Sequence, residues 1–248
     1  MYALTSAALN NTAPMPGVSK NYEFMPTTRI IDVMERDGYE VVSCSQGKSR
    51  KPNGQYYAKH LVKFRKARLV ADHVAPEVLV LNSHNRGAAL QFFAGFFRFA
   101  CANGMIIGDV ISQSNKIYHT NRNPFDLVLD RAAYATQVID SKLEVIKEMR
   151  ETILDQEQMY DFAEKATQLA VFKNRTFMDS RHLILPKRSE DTTPTTWNIF
   201  NRIQENIKKG DAIILGVSGK MRKARPIKNI DTDIKYNQQL WNLAEEYI

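Results

Sequence analysis

The 248-residue sequence has only two cysteines, Cys44 and Cys101, and no long apolar run. Two cysteines are too few for a disulfide framework or a zinc site, and we expect Cys101, which lies in an aromatic run, to be a buried free thiol. The richest apolar segment, residues 88–102, is interrupted by Gln91 and Arg98, so no stretch approaches the ~20 apolar residues of a membrane span. The lack of a signal-peptide-like segment at the N-terminus predicts a cytoplasmic protein.

Acidic residues are absent from two stretches, residues 41–71 and 212–230, which together contain 13 of the 34 basic residues. The other 21 basic residues are outnumbered by 27 acids, so the net charge of +7 is concentrated in these two stretches. Concentrated positive charge attracts polyanions and speeds association with them. We expect the two stretches to form one outward-facing cationic surface. The alternative is a solvated face of lysines and arginines that binds nothing.

The order of the predicted elements indicates an α+β fold, in which an antiparallel β-meander packs against helices. Apolar residues make up 44% of the chain and charged residues 25%, which is typical of a folded protein. We predict a flexible N-terminal arm over residues 1–24 and a β-rich domain with a basic hairpin over 25–122. Residues 123–248 are predicted to be a mainly helical part that packs on the sheet.

Local signals place the elements of the β-rich part. A short helix is predicted from Thr27 or Thr28 to Glu35, with Gly38 as its stop. Strands are predicted over residues 39–44, 56–65, 77–84, 88–101 and 105–111. Both alternating faces of residues 88–101 are apolar, which predicts a strand buried at the centre of the sheet, although a helix is the alternative.

The C-terminal half has helical periodicity. Residues 125–172 are predicted to form one long helix that breaks near Asp155, or a helical hairpin. Further helices are predicted over residues 196–209 and around 236–247. Between the last two helices lie a short strand-like piece, residues 212–217, and a flexible basic turn.

The loop over residues 45–55 has the glycine, proline and asparagine content of a long hairpin turn. Three cations, Lys48, Arg50 and Lys51, make its tip basic. In the strand predicted after it, a period of two places a row of cations on the outer face, at spacings comparable with those of successive phosphates. A row of lysines is also typical of an exposed edge strand.

These patterns define a candidate surface for nucleic acid, in which cations contact phosphates and tyrosines stack on bases. The predicted binding residues are Lys48, Arg50, Lys51, Tyr56, Tyr57, Lys59, Lys63, Arg65, Arg86, Arg98, Lys220, Arg222, Lys223 and Arg225.

Two positions have alternative interpretations. The polar turn of residues 82–86 contains His84, which could bond a nucleotide or a catalytic partner; the turn could instead satisfy its own backbone. Arg98 lies in an aromatic run, where an unpaired guanidinium is very costly. It therefore either contacts phosphate at a surface or pairs with a carboxylate such as Asp109.

Known catalytic and metal-binding motifs do not fit the sequence. Residues 216–220 resemble part of a phosphate-binding loop, but Ile214 and Met221 stand where that motif needs a glycine and a serine or threonine. The five histidines show no paired spacing of metal ligands. We therefore expect no cofactor, no metal and no catalytic residues.

Three segments together resemble a known family. These are the turn over residues 82–87 (Asn-Ser-His-Asn-Arg-Gly), residues 97–104 with Arg98, Cys101 and Asn103-Gly104, and the late segment over residues 196–201 (Thr-Trp-Asn-Ile-Phe-Asn). They are similar to the motifs of the phage- and plasmid-like family called domain of unknown function 932. The turn departs from the family pattern, since His84-Asn85-Arg86 stands where an Asp is usual. The resemblance implies an origin in a mobile element and no settled activity.

A coarser resemblance concerns the order of the elements. A short helix, a basic hairpin, a β-meander and then helices are similar to the ring-forming single-strand annealing proteins. Together these features predict a non-catalytic protein that binds single-stranded DNA or RNA, anneals it, and forms a homo-oligomer. One alternative is a phage-encoded interaction protein that inhibits a host defence or replication factor. Another is a nuclease or other enzyme, which would need a clustered set of carboxylates.

Overall fold

The computed structural model describes residues 6–66, 74–98, 103–106, 116–120, 124–216 and 218–248. The fold is α+β, as the sequence predicts, with an antiparallel sheet in the N-terminal half and helices in the middle and C-terminal regions. The contacts divide the chain into two compact units, Met1–Ile139 (unit 1) and Asp140–Ile248 (unit 2). The boundaries drawn from the sequence, 1–24, 25–122 and 123–248, stay predictions.

Unit 1 begins, in its described residues, with an N-terminal segment without helix or strand, and helix α1 (Thr27–Arg36) comes after it. In the N-terminal segment, Ala8 and Leu9 are buried, and Ser6 Oγ donates a hydrogen bond of 2.6 Å to Gln46 Oε1. The predicted helix is confirmed, and its buried side consists of Thr27, Ile30, Ile31 and Met34. Gly38 follows its end with φ of 82°, a conformation that glycine adopts without strain.

Six strands form the sheet of unit 1 in the described residues. They are β1 (Glu40–Gln46), β2 (His60–Arg65), β3 (Val74–Asn82), β4 (Leu90–Arg98), β5 (Asn103–Ile106) and β6 (Lys116–Ile117). The order is β1-β2-β3-β4-β5, with β6 also paired to β4, and every pairing is antiparallel. The long hairpin between β1 and β2 is therefore confirmed.

Strand β4 resolves the choice between strand and helix for the aromatic run. Its phenylalanines point to both faces, and Phe92, Phe93 and Phe96 are all at most 2% exposed. Across the strand pair, Phe92 lies opposite Val80 of β3. Since β4 is paired on both sides and buried on both faces, the prediction of a central strand is confirmed. Cys101 lies outside the described residues.

Unit 2 is built mainly from helices. Helix α2 (Val128–Glu151) runs through the boundary, followed by α3 (Gln156–Thr167), α4 (Thr196–Lys209) and α5 (Ile230–Glu245). The predicted break near Asp155 is confirmed: Asp155 Oδ1 accepts from Gln158 N at 2.8 Å, and Gln158 Oε1 accepts from Asp155 N at 2.9 Å. This capping box satisfies backbone donors that the start of a helix leaves unpaired. None of the helices described is both long and apolar enough to cross a bilayer.

Helix α4 forms the core of unit 2, because every residue from Thr196 to Ile207 is buried. Its apolar side packs against α5, where Phe200 meets Trp241 edge-on at 5.7 Å between ring centroids. Its polar side faces the segment before it, which has only short 3₁₀ turns, and Arg202 and Asn206 donate hydrogen bonds to carbonyl oxygens there. Such irregular backbone needs donors from elsewhere.

Candidate nucleic-acid interface

The connection between β1 and β2, residues 47–59, presents several exposed residues of the predicted binding set and is called here the basic loop. Its two ends are tied together by a hydrogen bond of 2.8 Å from Gly47 N to Lys59 O. A second bond, from Gln46 Nε2 at the end of β1 to Gln55 O at 2.7 Å, ties the later part of the loop to that strand. The loop is therefore an anchored structure.

Three of the four cations of the basic loop face solvent. Lys48, Arg50 and Lys51 are exposed, and none of the ion pairs in the described part of the chain involves them. Tyr56 lies in the same loop with 44% of its surface exposed. The loop thus combines three uncompensated positive charges with an accessible aromatic ring.

The prediction that the strand begins at Tyr56 is wrong. Residues Gly54–Tyr57 form a 3₁₀ turn, and β2 starts at His60. Residues 56–59 continue the alternation of apolar and polar residues, but they are not part of the strand. Asn53, with φ of 55°, turns the chain just before the 3₁₀ turn. Tyr57 is half-buried at the end of that turn.

The row of cations predicted for this strand, of which Lys59 precedes β2 and Lys63 and Arg65 lie in it, is less exposed than predicted. Lys59, Lys63 and Arg65 are half-buried, and Leu61 on the same predicted face is 4% exposed. Because β2 is paired on both sides, the interpretation as an exposed edge strand is wrong.

Arg65 has a structural partner. Its Nη2 lies 2.7 Å from Glu77 Oε1, and its guanidinium stacks 4.7 Å from the ring centroid of Phe97. The carboxylate of Glu77 is almost fully buried, so the positive charge of Arg65 compensates it.

Arg98 and Arg86 have opposite environments. Arg98 ends β4 and is 5% exposed, between Val74 of β3 and Asn103 of β5, so the predicted phosphate contact does not fit its burial. Asp109, its suggested partner, lies outside the described residues. Arg86 is exposed in the turn between β3 and β4, where its φ is 63° and its Nη2 donates to Gly17 O at 3.3 Å.

The second basic stretch lies in unit 2, where it forms a hairpin of which the sequence predicted only the first strand. Strand β7 (Ile213–Leu215) pairs with β8 (Met221–Lys223), so part of the predicted flexible turn is a strand. The side chains of Lys220, Arg222, Lys223 and Arg225 are exposed. Lys223 Nζ lies 3.3 Å from Asp211 Oδ1, which offsets part of this charge.

The two acid-free stretches belong to different units, so each surface is described by itself, and the single joint surface stays a prediction. Arg225 lines a cleft with Arg175 and Lys228. Neither of these was among the predicted binding residues, and no local spacing could have linked Arg175 to a segment 50 positions further along the chain.

The polar turn that contains His84 is built into the core of unit 1. Asn82, Ser83 and His84 are fully buried. Asn82 Nδ2 donates to Met25 O at 3.0 Å, and His84 Nε2 donates to Ala8 O at 3.0 Å. The interpretation of this turn as a structural one, with side chains that satisfy the backbone, fits these bonds.

His60, His84 and His119 share this buried region. The ring centroids of His60 and His84 are 5.1 Å apart, and Thr27 Oγ1 lies 2.7 Å from His60 Nε2. Burial, with a smaller contribution from the nearby His60, lowers the pKa of His84 to about 3. Burial also lowers the pKa of His60 and His119. Among the described residues, no group of three or more His, Cys, Asp or Glu side chains is arranged to hold a metal ion.

The chain matches the family described as "Domain of unknown function (DUF932)" over residues 14–241. It belongs to this family. It is similar to two curated proteins of Escherichia coli strain K12: UPF0380 protein YafZ, 26% identical over 227 residues, and UPF0380 protein YfjQ, 25% identical over 227 residues. Each comparison covers 92% of this chain and 82% of the relative. No solved structure matches the chain.

The residues through which the chain resembles DUF932 proteins hold its backbone in place. In the late segment, Thr196 Oγ1 donates to Tyr247 O at 2.9 Å and Asn201 Nδ2 donates to Trp197 O at 2.7 Å. In the turn of residues 82–87, at the end of β3, the side chains of Asn82 and His84 likewise bond backbone carbonyl oxygens. The exposed basic loop lies outside these motifs, so family membership alone does not reveal it.

Proposed function

We propose that this DUF932 protein binds single-stranded nucleic acid through the basic loop and performs no chemistry on it. The observation that supports this most is the exposure of Lys48, Arg50 and Lys51 on one anchored loop that contains no acidic residue. Each cation can neutralise a backbone phosphate and release its condensed counterion. Such binding depends little on base sequence.

Tyr56 favours a single strand over a duplex. A base that is unpaired and unstacked offers its face to an aromatic ring, and such stacking contributes about 1–3 kcal/mol per base. In a duplex the base faces are covered by their neighbours. A tyrosine that is 44% exposed on the same loop as three cations therefore suits a flexible single strand.

The anchoring of the loop favours affinity. The bonds from Gly47 N to Lys59 O and from Gln46 Nε2 to Gln55 O fix the backbone before a strand arrives. Binding then costs less conformational entropy than it would on a free tail. Strand annealing and homo-oligomer formation are further predictions of the sequence that go with this proposal.

The proposal is tested by removing the three charges. The variant Lys48→Gln, Arg50→Gln and Lys51→Gln should bind a fluorescent oligothymidine at least about tenfold more weakly at low salt, because three phosphate contacts are lost. Fluorescence anisotropy of the full chain measures this affinity.

A matched control changes three exposed cations outside the acid-free stretches: Lys20→Gln, Arg36→Gln and Lys235→Gln. It alters the net charge equally and should retain the affinity within about twofold, since it removes only long-range attraction. Equal weakening in both variants would show that the loop is not the site. Binding to a host protein without affinity for the oligonucleotide would favour the alternative of an inhibitor.

A further inference from the structure

Unit 2 contains a cleft of about 480 Å³ where the segment before α5 approaches Arg175. It is called here the Arg225 cleft, and its charged lining consists of Arg175, Arg225 and Lys228. A volume of this size is within the range of small-ligand sites in proteins. It shares no residue with the basic loop of unit 1.

The Arg225 cleft concentrates positive charge. All three cations are exposed, and none of the described residues that line the cleft has a carboxylate. Like charges around one cavity repel each other, and an anion between them would relieve that repulsion. Asp233 in the first turn of the following helix is engaged elsewhere, since its Oδ1 lies 3.0 Å from Lys208 Nζ.

The backbone around the Arg225 cleft is held in place. Ala224 N donates to Ala212 O at 2.7 Å, and Ile227 N donates to Lys208 O at 3.0 Å, so Arg225 lies between two anchored residues. On the other wall, the guanidinium of Arg175 lies 5.4 Å from the ring centroid of Phe172. These contacts fix the backbone on both sides of Arg225, and the side chain of Arg175, before a ligand arrives.

The uncharged lining suits a nucleotide. Asn229 Oδ1 accepts from Thr232 N at 2.9 Å and from Thr232 Oγ1 at 3.2 Å. The carbonyl oxygen of this side chain is thus engaged, and its remaining polar group, Nδ2, is a donor that suits phosphate oxygens. Pro226 and Ile227 add apolar surface against which a sugar or base could pack.

We propose that the Arg225 cleft binds the phosphate of a nucleotide, either free or at the 5′ end of a strand. Arg175, Arg225 and Lys228 contact the phosphate oxygens, and the apolar wall contacts the nucleoside. The charge-assisted hydrogen bonds supply most of the affinity, since they are stronger than bonds between neutral groups.

The test uses the full chain and adenosine 5′-monophosphate in isothermal titration calorimetry. The nucleotide should bind at one site per chain, and adenosine, which lacks the phosphate, should not. Arg225→Gln and Lys228→Gln should each weaken binding at least about tenfold. Lys235→Gln, an exposed cation on α5 outside the cleft, should change it less than about twofold.

A second arm distinguishes the two sources of phosphate. Competition by a 5′-phosphorylated oligothymidine, with none by its 5′-hydroxyl form, assigns the site to strand ends; competition by neither assigns it to free nucleotides. If neither the nucleotide nor the phosphorylated strand depends on Arg225, the proposal is overturned. The Lys48→Gln, Arg50→Gln and Lys51→Gln variant should bind the nucleotide normally, so failure here is distinct from failure of the proposed strand-binding loop.

Discussion

Arg65 and Arg50 have the same charge but different roles. Arg65 compensates the buried carboxylate of Glu77 at 2.7 Å, so its removal would leave an uncompensated charge in the sheet. Such a change costs about 3–5 kcal/mol. Arg50 is exposed on the basic loop, where substitutions usually change stability by less than about 0.5 kcal/mol. Loss of binding after substitution of Arg65 would therefore report unfolding as much as contact with a ligand.

The buried histidines make the stability of unit 1 depend on pH. Burial lowers the pKa of His84 to about 3, whereas histidine in an unfolded chain has a pKa of about 6.5. Between these values the unfolded chain binds the proton and the folded chain does not, so the free energy of unfolding falls as pH falls below about 6.5. The stability is fully present above that pH.

We expect the urea midpoint of the full chain, followed by circular dichroism, to decrease steadily from pH 7 to pH 5. Each buried neutral histidine contributes a loss of up to about 1.4 kcal/mol per pH unit. His84→Gln should flatten this dependence, because it removes one titrating group. His182→Gln, whose side chain is 55% exposed, should not. A midpoint of the wild type that stays constant over this range would contradict the account.

At the scale of elements, the end of helix α4 determines where the segment that lines the Arg225 cleft lies. Gly210 follows α4 with φ of 82°, and a Cβ there would lie 2.6 Å from Ala224 O and 2.7 Å from Pro226 N. Only glycine permits the chain before α5 to come this close to the end of α4. The position of Arg225 therefore depends on a residue that has no functional group.

Gly210→Ala should destabilise unit 2 and weaken nucleotide binding to the Arg225 cleft. The control is Gly38→Ala, which follows α1 with the same φ of 82° but has nothing within 4 Å of the added Cβ. The control should lose about 1 kcal/mol from the unfavourable backbone conformation alone. Gly210→Ala should lose clearly more, measured as the urea midpoint; equal losses would show that the close approach is not needed.

The periodicity of apolar residues predicted the elements in which apolar residues lie either on one side only or on both faces. Helix α1 and strand β4 were located because one is apolar on a single side and the other on both faces. The start of α5 was predicted at residue 236 but lies at Ile230, because Asn229 caps it: Asn229 Oδ1 accepts from Thr232 N. Asparagine is a common residue at the start of a helix, so the sequence contained this signal. The apolar residues between Asn229 and Tyr236 are too few to show helical periodicity there.

The candidate sites were harder to predict than the fold. The basic loop was found from local composition, because its three exposed cations lie within four residues of one another in the sequence. The partners of Arg65 and the neighbours of Arg225 are set by strand register and by contacts between distant segments. One sequence does not specify such pairings, so the predicted row of cations on β2 included a residue that balances a buried acid.

At the scale of the whole molecule, the net charge of +7 arises from two acid-free stretches, one in each unit. If each stretch binds phosphate, the protein has two anion sites of different kinds: an open loop suited to a strand and a cleft suited to one nucleotide. Both should weaken as salt rises, but only the loop should involve several phosphates at once.

The most direct test of the central claim is a salt titration of the affinity of the full chain for oligothymidine, from about 50 to 200 mM salt. For single strands the slope of log K against log salt is about −0.7 per phosphate contact, so contacts from Lys48, Arg50 and Lys51 predict a slope near −2. The triple glutamine variant should have a slope near zero. Absence of binding at the lowest salt, or equal slopes for the wild type and the variant, would contradict the account.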